Sequence, residues 1–298
     1  MGNAIISKHS GGYATVKSEN YNDDALIERV LESSFTSYLS NSKDSLAAAT
    51  VGNYALFAGG KYYGSSYTYP TTVDTYNDSL TKSTATSLGT GREGLAATTV
   101  GNYALFGGGY QHSGSYYSTV DTYTSSLTKS TATSLSTARH ELAATTVGSY
   151  ALFGGGYESS SRSSRVDTYT SGLTKSTATS LNTARYGLAA TAVGNYALFG
   201  GGDISSSPYV TATVDAYTSN LVRSTATSLS WARSSLAATT VGNYAIFAGG
   251  YVSGSTSSGG EDVYNSSLTR STPITSLGVG GKGIAATAVG NYALFANG

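Results

Sequence analysis

Leu95-Ala-Ala-Thr-Thr-Val-Gly-Asn-Tyr-Ala-Leu-Phe-Gly-Gly-Gly109 is the stretch that decides the fold, because it recurs along the chain almost unchanged. Its six copies begin at Leu46, Leu95, Leu142, Leu188, Leu236 and Ile284, which is one copy every 46 to 49 residues. A period of about 40–50 residues indicates an array of equivalent structural units. We therefore predict that residues 1–298 form a single repeat domain.

Each repeat predicts four antiparallel strands, as the unit from Leu95 to Arg139 illustrates. Residues 95–100 and 103–106 form two strands around a Gly-Asn turn, which is typical of a β-hairpin. Residues 119–123 alternate as a third strand, and the Thr- and Ser-rich residues 128–135 form a fourth. Four-stranded antiparallel blades repeated around an axis are typical of an all-β propeller, with the small residues of the first strand innermost.

The two ends of the chain predict how this array closes. The sixth copy stops at Gly298 after two strands, whereas residues 15–21 match a third strand and residues 25–39 a fourth. Residues 1–14 then correspond to a loop. We therefore predict a six-bladed β-propeller whose closing blade is shared between the N and C termini, with residues 1–45 completing it. Phe106 and its equivalents are expected to pack between blades.

Three features of the unit together resemble the kelch repeat. They are Gly-Gly after the second strand, an apolar-acidic-x-Tyr third strand, and Thr-Ala-Arg before the next unit. The resemblance covers essentially the whole chain and is to kelch-like propellers of bacterial and phage proteins. A kelch unit usually has a Trp in its fourth strand, where this chain has Ser-Thr-Ala-Thr, and Leu80, Leu127 and Leu173 are expected to fill that space. The resemblance implies a propeller and, most often, protein or glycan binding, without one set activity.

Composition argues against several classes of partner. Only 11% of the residues are charged, and seventeen acidic residues balance seventeen basic ones, so net charge does not favour nucleic acid. The chain has no cysteine and no apolar run of about 20 residues, so we expect neither a disulfide nor membrane insertion. Three histidines without metal-ligand spacing predict no metal site, and no motif predicts a cofactor.

The loops between the second and third strands vary between units, while the two kinds of turn barely change, which predicts one variable face. These loops cover residues 61–70, 110–118, 157–164, 203–211 and 251–260. They are rich in Tyr, Ser and Gly, a mixture that antibody loops use for binding. Tyr63, Tyr110 and Tyr157 are therefore candidate binding residues. The alternative is drift in unselected loops of low-complexity composition.

A basic residue recurs just before the first strand in five of the units. These residues are Lys43, Arg92, Arg139, Arg185 and Arg233. A ring of them around the mouth of a channel would bind carboxylates or phosphates through charge-assisted hydrogen bonds. The alternative is that each base pairs with backbone carbonyls or with a neighbouring acidic residue.

Three residues close to these bases are further candidate ligand contacts. His140 and Tyr186 directly follow two of the arginines. Trp231, the only tryptophan, lies two residues before Arg233. An exposed aromatic ring beside polar groups is suited to binding a sugar ring, and the alternative is that Trp231 only fills local packing space.

Acidic residues on the third strands are predicted to pair with basic residues on the fourth strands. The acidic set is Glu19, Asp74, Asp121, Asp167, Asp215 and Asp262, and the basic set is Lys82, Lys129, Lys175, Arg223 and Arg270. Exposed pairs of this kind contribute about 0–1 kcal/mol each.

The residues favour binding over catalysis. Glu93 and Glu141, on adjacent units, form a candidate glycosidase pair, and nothing in the sequence indicates that either is buried. We therefore expect a non-catalytic module, on a bacterial surface, a virion or elsewhere outside the cell, that recognises a glycan or an acidic peptide through its variable face. The alternative is a structural component of a phage particle or surface assembly.

Overall fold

The computed structural model of the chain describes residues 2–9, 13–20, 27–28, 39–64, 66–252, 256–272 and 283–296. Within these ranges the regular structure is all β, without a helix, as the repeat predicts. The chain divides into two compact units. Unit 1 comprises Met1–Phe35, Gly187–Thr218 and Arg223–Gly298, and unit 2 comprises Thr36–Tyr186 and Ser219–Val222. The single domain over residues 1–298 stays a prediction.

Unit 1 begins with a three-stranded antiparallel sheet in the order β1-β2-β3. Its strands are β1 (Gly2–His9), β2 (Tyr13–Asn20) and β3 (Ile27–Glu28). The chain then enters unit 2.

Unit 2 contains three four-stranded antiparallel blades. Blade 1 consists of β4 (Asp44–Val51), β5 (Tyr54–Tyr63), β7 (Val73–Asn77) and β8 (Lys82–Ala85), with the short β6 (Tyr67–Thr68) paired to the end of β5. Blade 2 consists of β9 (Ala96–Val100), β10 (Tyr103–Gly107), β13 (Val120–Thr124) and β14 (Lys129–Ala132), with a hairpin of β11 (Tyr110–Gln111) and β12 (Ser115–Tyr116) in its loop. Blade 3 consists of β15 (Ala143–Val147), β16 (Tyr150–Gly154), β17 (Val166–Thr170) and β18 (Lys175–Ala178).

Unit 1 contains two further blades of the same topology. Blade 4 consists of β19 (Ala189–Val193), β20 (Tyr196–Gly200), β21 (Val214–Thr218) and β22 (Arg223–Ala226). Blade 5 consists of β23 (Ala237–Val241), β24 (Tyr244–Ala248), β27 (Glu261–Asn265) and β28 (Arg270–Ser271), with a hairpin of β25 (Tyr251–Val252) and β26 (Thr256–Ser257) in its loop. A two-stranded sheet of β29 (Ala285–Val289) and β30 (Tyr292–Ala296) follows.

The described strands form five four-stranded blades, not the six that the repeat count predicts. The sixth copy forms only the sheet of β29 and β30, and the N-terminal strand that lies against β30 in unit 1 is β1. Residues 1–14, predicted as a loop, therefore contain a strand, because Gly2–His9 pairs along its whole length with Tyr13–Asn20. The predicted third strand at 15–21 corresponds to β2, and the predicted fourth strand at 25–39 lies mostly outside the described residues.

Within each unit the first strands of successive sheets lie side by side, which is the arrangement of β-propeller blades. In unit 2, β9 lies between β4 and β15, and in unit 1, β23 lies between β19 and β29. Threonine hydroxyls join these strands: Thr99 Oγ1 donates to the carbonyl of Thr50 at 2.5 Å, and the Thr98 and Thr146 hydroxyls lie 2.9 Å apart. The small Ala and Thr side chains allow this close approach.

The Gly-Asn turn of one blade packs against the Ser-containing turn of the next within unit 2. Gly101 has a φ of 54°, and a β-carbon there would lie 2.8 Å from Ser171 Cβ, so glycine is required on both counts. Gly52 stands in the same relation to Ser125, at 2.7 Å. These contacts support the expectation that the two constant turns share one face.

The leucine that ends the turn between the third and fourth strands adopts a left-handed conformation, which is unfavourable for a residue with a β-carbon. Its φ is 60° at both Leu127 and Leu173 and 56° at Leu80. Leu127 and Leu173 are half-buried against blade cores, and this packing offsets the backbone cost. Leu80 is 59% exposed, so the expectation that it fills core space is wrong.

In unit 2, a phenylalanine of the second strand packs into the interface between neighbouring blades. Phe153 is fully buried, and a β-carbon at Gly107 of the preceding blade would lie 2.9 Å from its ring. The ring also makes a T-shaped contact with Tyr169, with centroids 5.8 Å apart. Phe106, Phe199, Phe247 and Phe295 are buried as well, whereas Phe57 is half-buried.

We expect Phe153→Ala to lower the free energy of unfolding by about 3–5 kcal/mol, because it leaves a cavity between two blades that cannot close without moving a sheet. Equilibrium urea denaturation measures this loss. The matched control is Phe57→Ala, for which the half-buried ring predicts a smaller loss. A cost below about 1 kcal/mol for Phe153→Ala would contradict the packing described here.

Candidate functional site

The basic residues ahead of the first strands are buried rather than exposed. Arg92, Arg139, Arg185 and Arg233 have no accessible surface, and neither has the Lys43 side chain. The expectation that these groups stand exposed around a channel mouth is therefore wrong. A charged group that is withdrawn from water needs an internal partner, so their ion partners decide their role.

An aspartate on the third strand of the same blade partners these bases. In blade 3, Arg139 Nη2 lies 2.8 Å from Asp167 Oδ2 and donates a hydrogen bond to the carbonyl of Phe153 at 3.1 Å. The corresponding pairs are Arg92–Asp121 at 3.0 Å, Arg233–Asp262 at 2.8 Å and Lys43–Asp74 at 3.6 Å. This is the alternative that the sequence left open, in which the bases pair with an acid and with backbone carbonyls.

The same aspartates also pair with the fourth strand, as predicted. Lys175 Nζ lies 3.0 Å from Asp167 Oδ1. The equivalent pairs are Lys82–Asp74, Lys129–Asp121, Arg223–Asp215 and Arg270–Asp262, at 2.9 to 3.3 Å. The predicted pairing is confirmed for these five blades, but its exposure is not, because the carboxylates are at most 1% exposed.

Hydrogen bonds and two opposite charges keep Asp167 ionised in the interior. Burial disfavours its charge, but the hydrogen bond from the Ser136 hydroxyl and the charges of Arg139 and Lys175 outweigh burial and lower its pKa. Each such triad joins the segment that enters a blade to its third and fourth strands. We therefore assign the buried bases to blade stability rather than to ligand contact.

Eight rings of unit 2 form a continuous series of ring contacts, which we call the aromatic band. Its members are Tyr63, Tyr67, Tyr110, His112, Tyr116, His140, Tyr157 and Tyr186. They come from the variable loops of blades 1, 2 and 3 and from the residues that follow Arg139 and Arg185. The sequence-predicted residues Tyr63, Tyr110, Tyr157, His140 and Tyr186 are thus brought together in one structure.

The first half of the band runs from blade 1 to blade 2. Tyr63 packs on Tyr67 with ring centroids 5.0 Å apart, and Tyr67 stacks on His112 at 4.3 Å with an interplanar angle of 30°. His112 leads on to Tyr110 at 5.6 Å. Tyr63 is 72% exposed and Tyr67 43% exposed, so this end presents its rings to solvent.

The second half continues from blade 2 through blade 3. Tyr110 stacks on His140 at 4.9 Å with an interplanar angle of 26°, and Tyr116 lies 4.9 Å from Tyr110. His140 packs edge-on against Tyr157 at 5.9 Å, and Tyr157 packs against Tyr186 at 5.4 Å. These five rings are half-buried, so each keeps part of its surface exposed.

Backbone hydrogen bonds fix the loops that carry the band. Tyr110 and Glu93 exchange two, at 2.9 and 3.0 Å. Tyr157 and His140 exchange two, at 2.8 and 3.1 Å. Each pair joins the segment that enters a blade to the variable loop of the same blade, so the central rings are placed on paired backbone rather than on a free loop.

Ion pairs surround the band without giving it a strong charge. Glu93 lies 2.8 Å from Lys61 Nζ and 3.2 Å from His112 Nδ1, and Lys61 also lies over the Tyr67 ring at 5.3 Å. Burial opposes the charge of Lys61, but its bond with Glu93 raises its pKa. Burial lowers the pKa of His140, and the charge of Glu93 opposes that shift without cancelling it. Burial thus favours the neutral form of His140.

Reasoning from the sequence did not identify His112, Lys61 or Glu93 as neighbours of the band. His112 lies in a variable loop, and no other repeat has a histidine at the corresponding place, so the comparison of repeats did not identify it. Glu93 could have been predicted to lie beside the band, because it directly follows a basic residue in the same register as His140 and Tyr186. The glycosidase role considered for Glu93 and Glu141 stays untested.

Trp231 belongs to unit 1 and is not part of the band. It is 64% exposed and lies beside Gly260, whose β-carbon, if present, would be 3.7 Å from Trp231 Cδ1. The next residue, Glu261, is only 6% exposed, and its Oε1 atom has no hydrogen-bond partner among the described residues. Burial raises the pKa of Glu261 to about 7, although the nearby charge of Arg233 opposes the shift.

No protein-family model matches the chain, and no curated protein is significantly similar to it. The part of the chain that the structure describes has no helix that is long and apolar enough to cross a membrane. Over the same residues, no three His, Cys, Asp or Glu side chains converge to hold a metal ion. Inference about function therefore depends on the side chains themselves.

We expect Arg139→Met to lower the free energy of unfolding by about 3–5 kcal/mol, because it leaves Asp167 as an inadequately paired buried charge. Lys175→Met removes a partly exposed partner of the same carboxylate and should cost only about 1 kcal/mol. Urea denaturation of both proteins measures the difference. Equal losses would contradict the assignment of Arg139 as the main internal partner.

We expect Glu261→Val to stabilise the protein more at pH 8 than at pH 5. The folded-state pKa of Glu261, about 7, lies above its ordinary value of 4.5, so the folded state binds this proton more tightly than the unfolded state. Stability is therefore lost as the pH rises from about 4.5 through about 7, and the variant should recover on the order of 2–3 kcal/mol at pH 8. Denaturation at both pH values measures this gain, and an equal gain at both would contradict the titration.

Proposed function

We propose that this protein is a non-catalytic binding module whose aromatic band binds a neutral glycan. The observation that carries the proposal is the continuous series of partly exposed rings from Tyr63 to Tyr186. Tyrosine and histidine rings offer flat apolar faces, and the tyrosine hydroxyls lie at their edges to bond sugar hydroxyls. An extended series of such faces suits a chain of several sugar rings better than a single small molecule.

The backbone pairing of the central loops supports binding by a pre-organised surface. Tyr110 and His140 are stacked before any ligand arrives, and each is joined by backbone hydrogen bonds to a partner within its own blade. A surface that is already ordered loses little conformational entropy on binding. This favours a recognition role over drift of unselected loops.

The local charges favour a neutral ligand over an acidic peptide. Lys61 is paired with Glu93, and Arg165 lies 3.6 Å from Glu158. The arginines that the sequence offered for anion binding are buried in ion pairs instead. An acidic peptide would therefore find few unpaired cations at the band, whereas a glycan needs ring faces and hydrogen-bonding edges.

The finer features of the fold belong to the same proposal. Kelch membership is supported by Gly-Gly after the second strands, the Asp-x-Tyr third strands and the recurring Arg. A sixth, closing blade that joins both termini is supported by the contact between β1 and β30 in unit 1.

An extracellular, bacterial-surface or virion location agrees with a protein that binds glycans through a tyrosine-rich surface. A structural role in a phage particle is the second candidate, favoured by the constant turns that repeat along unit 2.

A glycan array followed by calorimetry with the best neutral glycan tests the proposal. We expect replacement of Tyr110 and His140 together by alanine to weaken binding about tenfold, because stacked rings contribute about 0.5–1.5 kcal/mol each beyond area burial. Tyr209→Ala, which removes a tyrosine that is 60% exposed in unit 1, is the matched control and should leave affinity unchanged. Melting temperatures show that the variants are folded.

Three outcomes would contradict the proposal. The first is binding that is equally weakened by the control, because the band would then have no special part in it. The second is binding of acidic peptides alone, with a strong salt dependence, which would replace the glycan by an anionic ligand. The third is absence of any array ligand together with co-purification in intact particles, which would favour the structural role.

A further inference from the structure

The blade 1 and blade 2 parts of the aromatic band are joined by a closed set of four contacts. Lys61 Nζ lies 2.8 Å from Glu93 Oε2, and Glu93 Oε1 lies 3.2 Å from His112 Nδ1. The His112 ring stacks on Tyr67 with centroids 4.3 Å apart, and Lys61 Nζ lies over the Tyr67 ring at 5.3 Å. The backbone N–H of His112 also donates to the Tyr69 hydroxyl at 2.7 Å. The position and the ring plane of His112 are therefore fixed within unit 2.

The partner of Nδ1 determines which tautomer of His112 is present. The Glu93 carboxylate is paired with Lys61, and an ionised carboxylate can only accept a hydrogen bond. His112 Nδ1 must therefore donate, so the proton of the neutral imidazole is on Nδ1 and Nε2 is an acceptor. Glu93 is only 7% exposed, so water competes little for its carboxylate.

The part of the His112 ring that carries Nε2 is accessible to a ligand. The side chain is 47% exposed, although its Nδ1 edge faces Glu93 and one of its faces lies against Tyr67. Tyr110 is tilted by 57° at 5.6 Å and covers the ring only in part. The exposed area therefore includes the edge with Nε2, because this atom points away from Nδ1. In the part of the chain that the structure describes, Nε2 has no hydrogen-bond partner.

An atom that can only accept a hydrogen bond selects ligands by what they donate. Nε2 of the Nδ1–H tautomer can bond a sugar hydroxyl, whereas it has nothing to bond in an ether, acetal or carbonyl oxygen. The tyrosine hydroxyls of the band both donate and accept, so they do not make this distinction. Within the band, His112 is thus suited to distinguish a hydroxyl from a group that cannot donate.

We propose that His112 is a specificity-determining residue of the band, which accepts a hydrogen bond from one glycan hydroxyl through Nε2. Glu93 is the positioning residue that keeps the proton on Nδ1. This assignment rests on the glycan binding proposed above and deepens it, because it requires a hydroxyl donor at one place on the glycan. An imidazolium has protons on both nitrogens and no acceptor, so binding weakens as the pH falls.

The groups that face His112 leave few other sources of pH dependence. They are Glu93 with Lys61 behind it, the rings of Tyr67, Tyr69 and Tyr110, and the charge of His140 at longer range. Histidine is the side chain whose charge ordinarily changes between pH 5 and 8, which leaves His112 and His140. Burial favours the neutral form of His140, and a variant at His112 alone separates the two.

Calorimetry with the best neutral glycan of the array, at pH 7.5 and at pH 5, tests this assignment. We expect weaker binding at pH 5. His112→Phe keeps a stacking ring without an acceptor, so it should weaken binding about fivefold at pH 7.5, which corresponds to one neutral hydrogen bond, and should abolish the difference between the two pH values.

Analogues of the glycan in which fluorine replaces one hydroxyl at a time identify the hydroxyl that His112 binds. One analogue should bind the natural protein about fivefold more weakly than the parent glycan, because fluorine cannot donate. The same analogue should bind His112→Phe as well as the parent glycan does, because the two changes remove the same contact.

Nitrogen NMR shifts of the His112 ring test the role of Glu93 in the ligand-free protein. We expect the Nδ1–H tautomer in the natural protein and a mixture of tautomers in Glu93→Gln, because a side-chain amide can donate to Nδ1 as well as accept from it. Glu141→Gln is the matched control. It changes the carboxylate that lies 3.6 Å from His140 Nδ1 and should leave the tautomer of His112 unchanged.

The assignment is overturned, with the proposed function intact, if binding needs Tyr110 and His140 but is equally tight in His112→Phe at both pH values. It is also overturned if the natural protein has the Nε2–H tautomer, whether or not a glycan binds, and this result remains decisive if Glu93→Gln does not fold. Absence of any glycan binding by the natural protein overturns the proposed function and this assignment together.

Discussion

Each described blade contains an aspartate carboxylate without access to solvent. The need to pair this buried charge is the constraint on which the blade depends. Asp167 accepts hydrogen bonds from Ser136 and stands between Arg139, ahead of the first strand, and Lys175, on the fourth. One side chain therefore joins the segment that enters a blade to the strands at its other edge. This explains how a chain with only 11% charged residues repeats its charges so regularly. These charges form ion pairs inside the blades, and the contact of the surface with water depends on hydroxyl-bearing side chains instead.

Much of the fold could be predicted because each strand is encoded several times. The Gly-Asn turn, the Ala- and Thr-rich first strand and the Asp-Lys pairing between third and fourth strands all recur in the expected register. The strand Gly2–His9 could not be predicted, because it matches no repeat and its identity depends on its pairing with Tyr13–Asn20. The comparison of repeats therefore predicts the strands that recur and gives no information about a strand that occurs once.

The candidate site was predicted only in part. The tyrosines of the band were identified by composition, but their contacts depend on loop conformations that differ from blade to blade, as for His112. The sequence left two states open for Arg139, because a recurring cation ahead of a strand is compatible with either an exposed or a paired state. Arg92, Arg139 and Arg233 each lie 28 or 29 residues before an aspartate, and this interval was visible in the sequence. Only the structure shows that the two residues pair.

The contact between Phe153 and Gly107 has a consequence for how such an array changes over generations. The position of Gly107 holds a small residue in each of the other described blades, namely Ala58, Gly154, Gly200 and Ala248, and the position of Phe153 holds a phenylalanine. The interface is therefore head-to-tail rather than self-complementary. Unequal recombination that adds or deletes a whole copy would still place a phenylalanine ring against a small residue at the new junction. The interfaces thus accept changes in copy number, and the number itself must be selected by something other than the fit between neighbours.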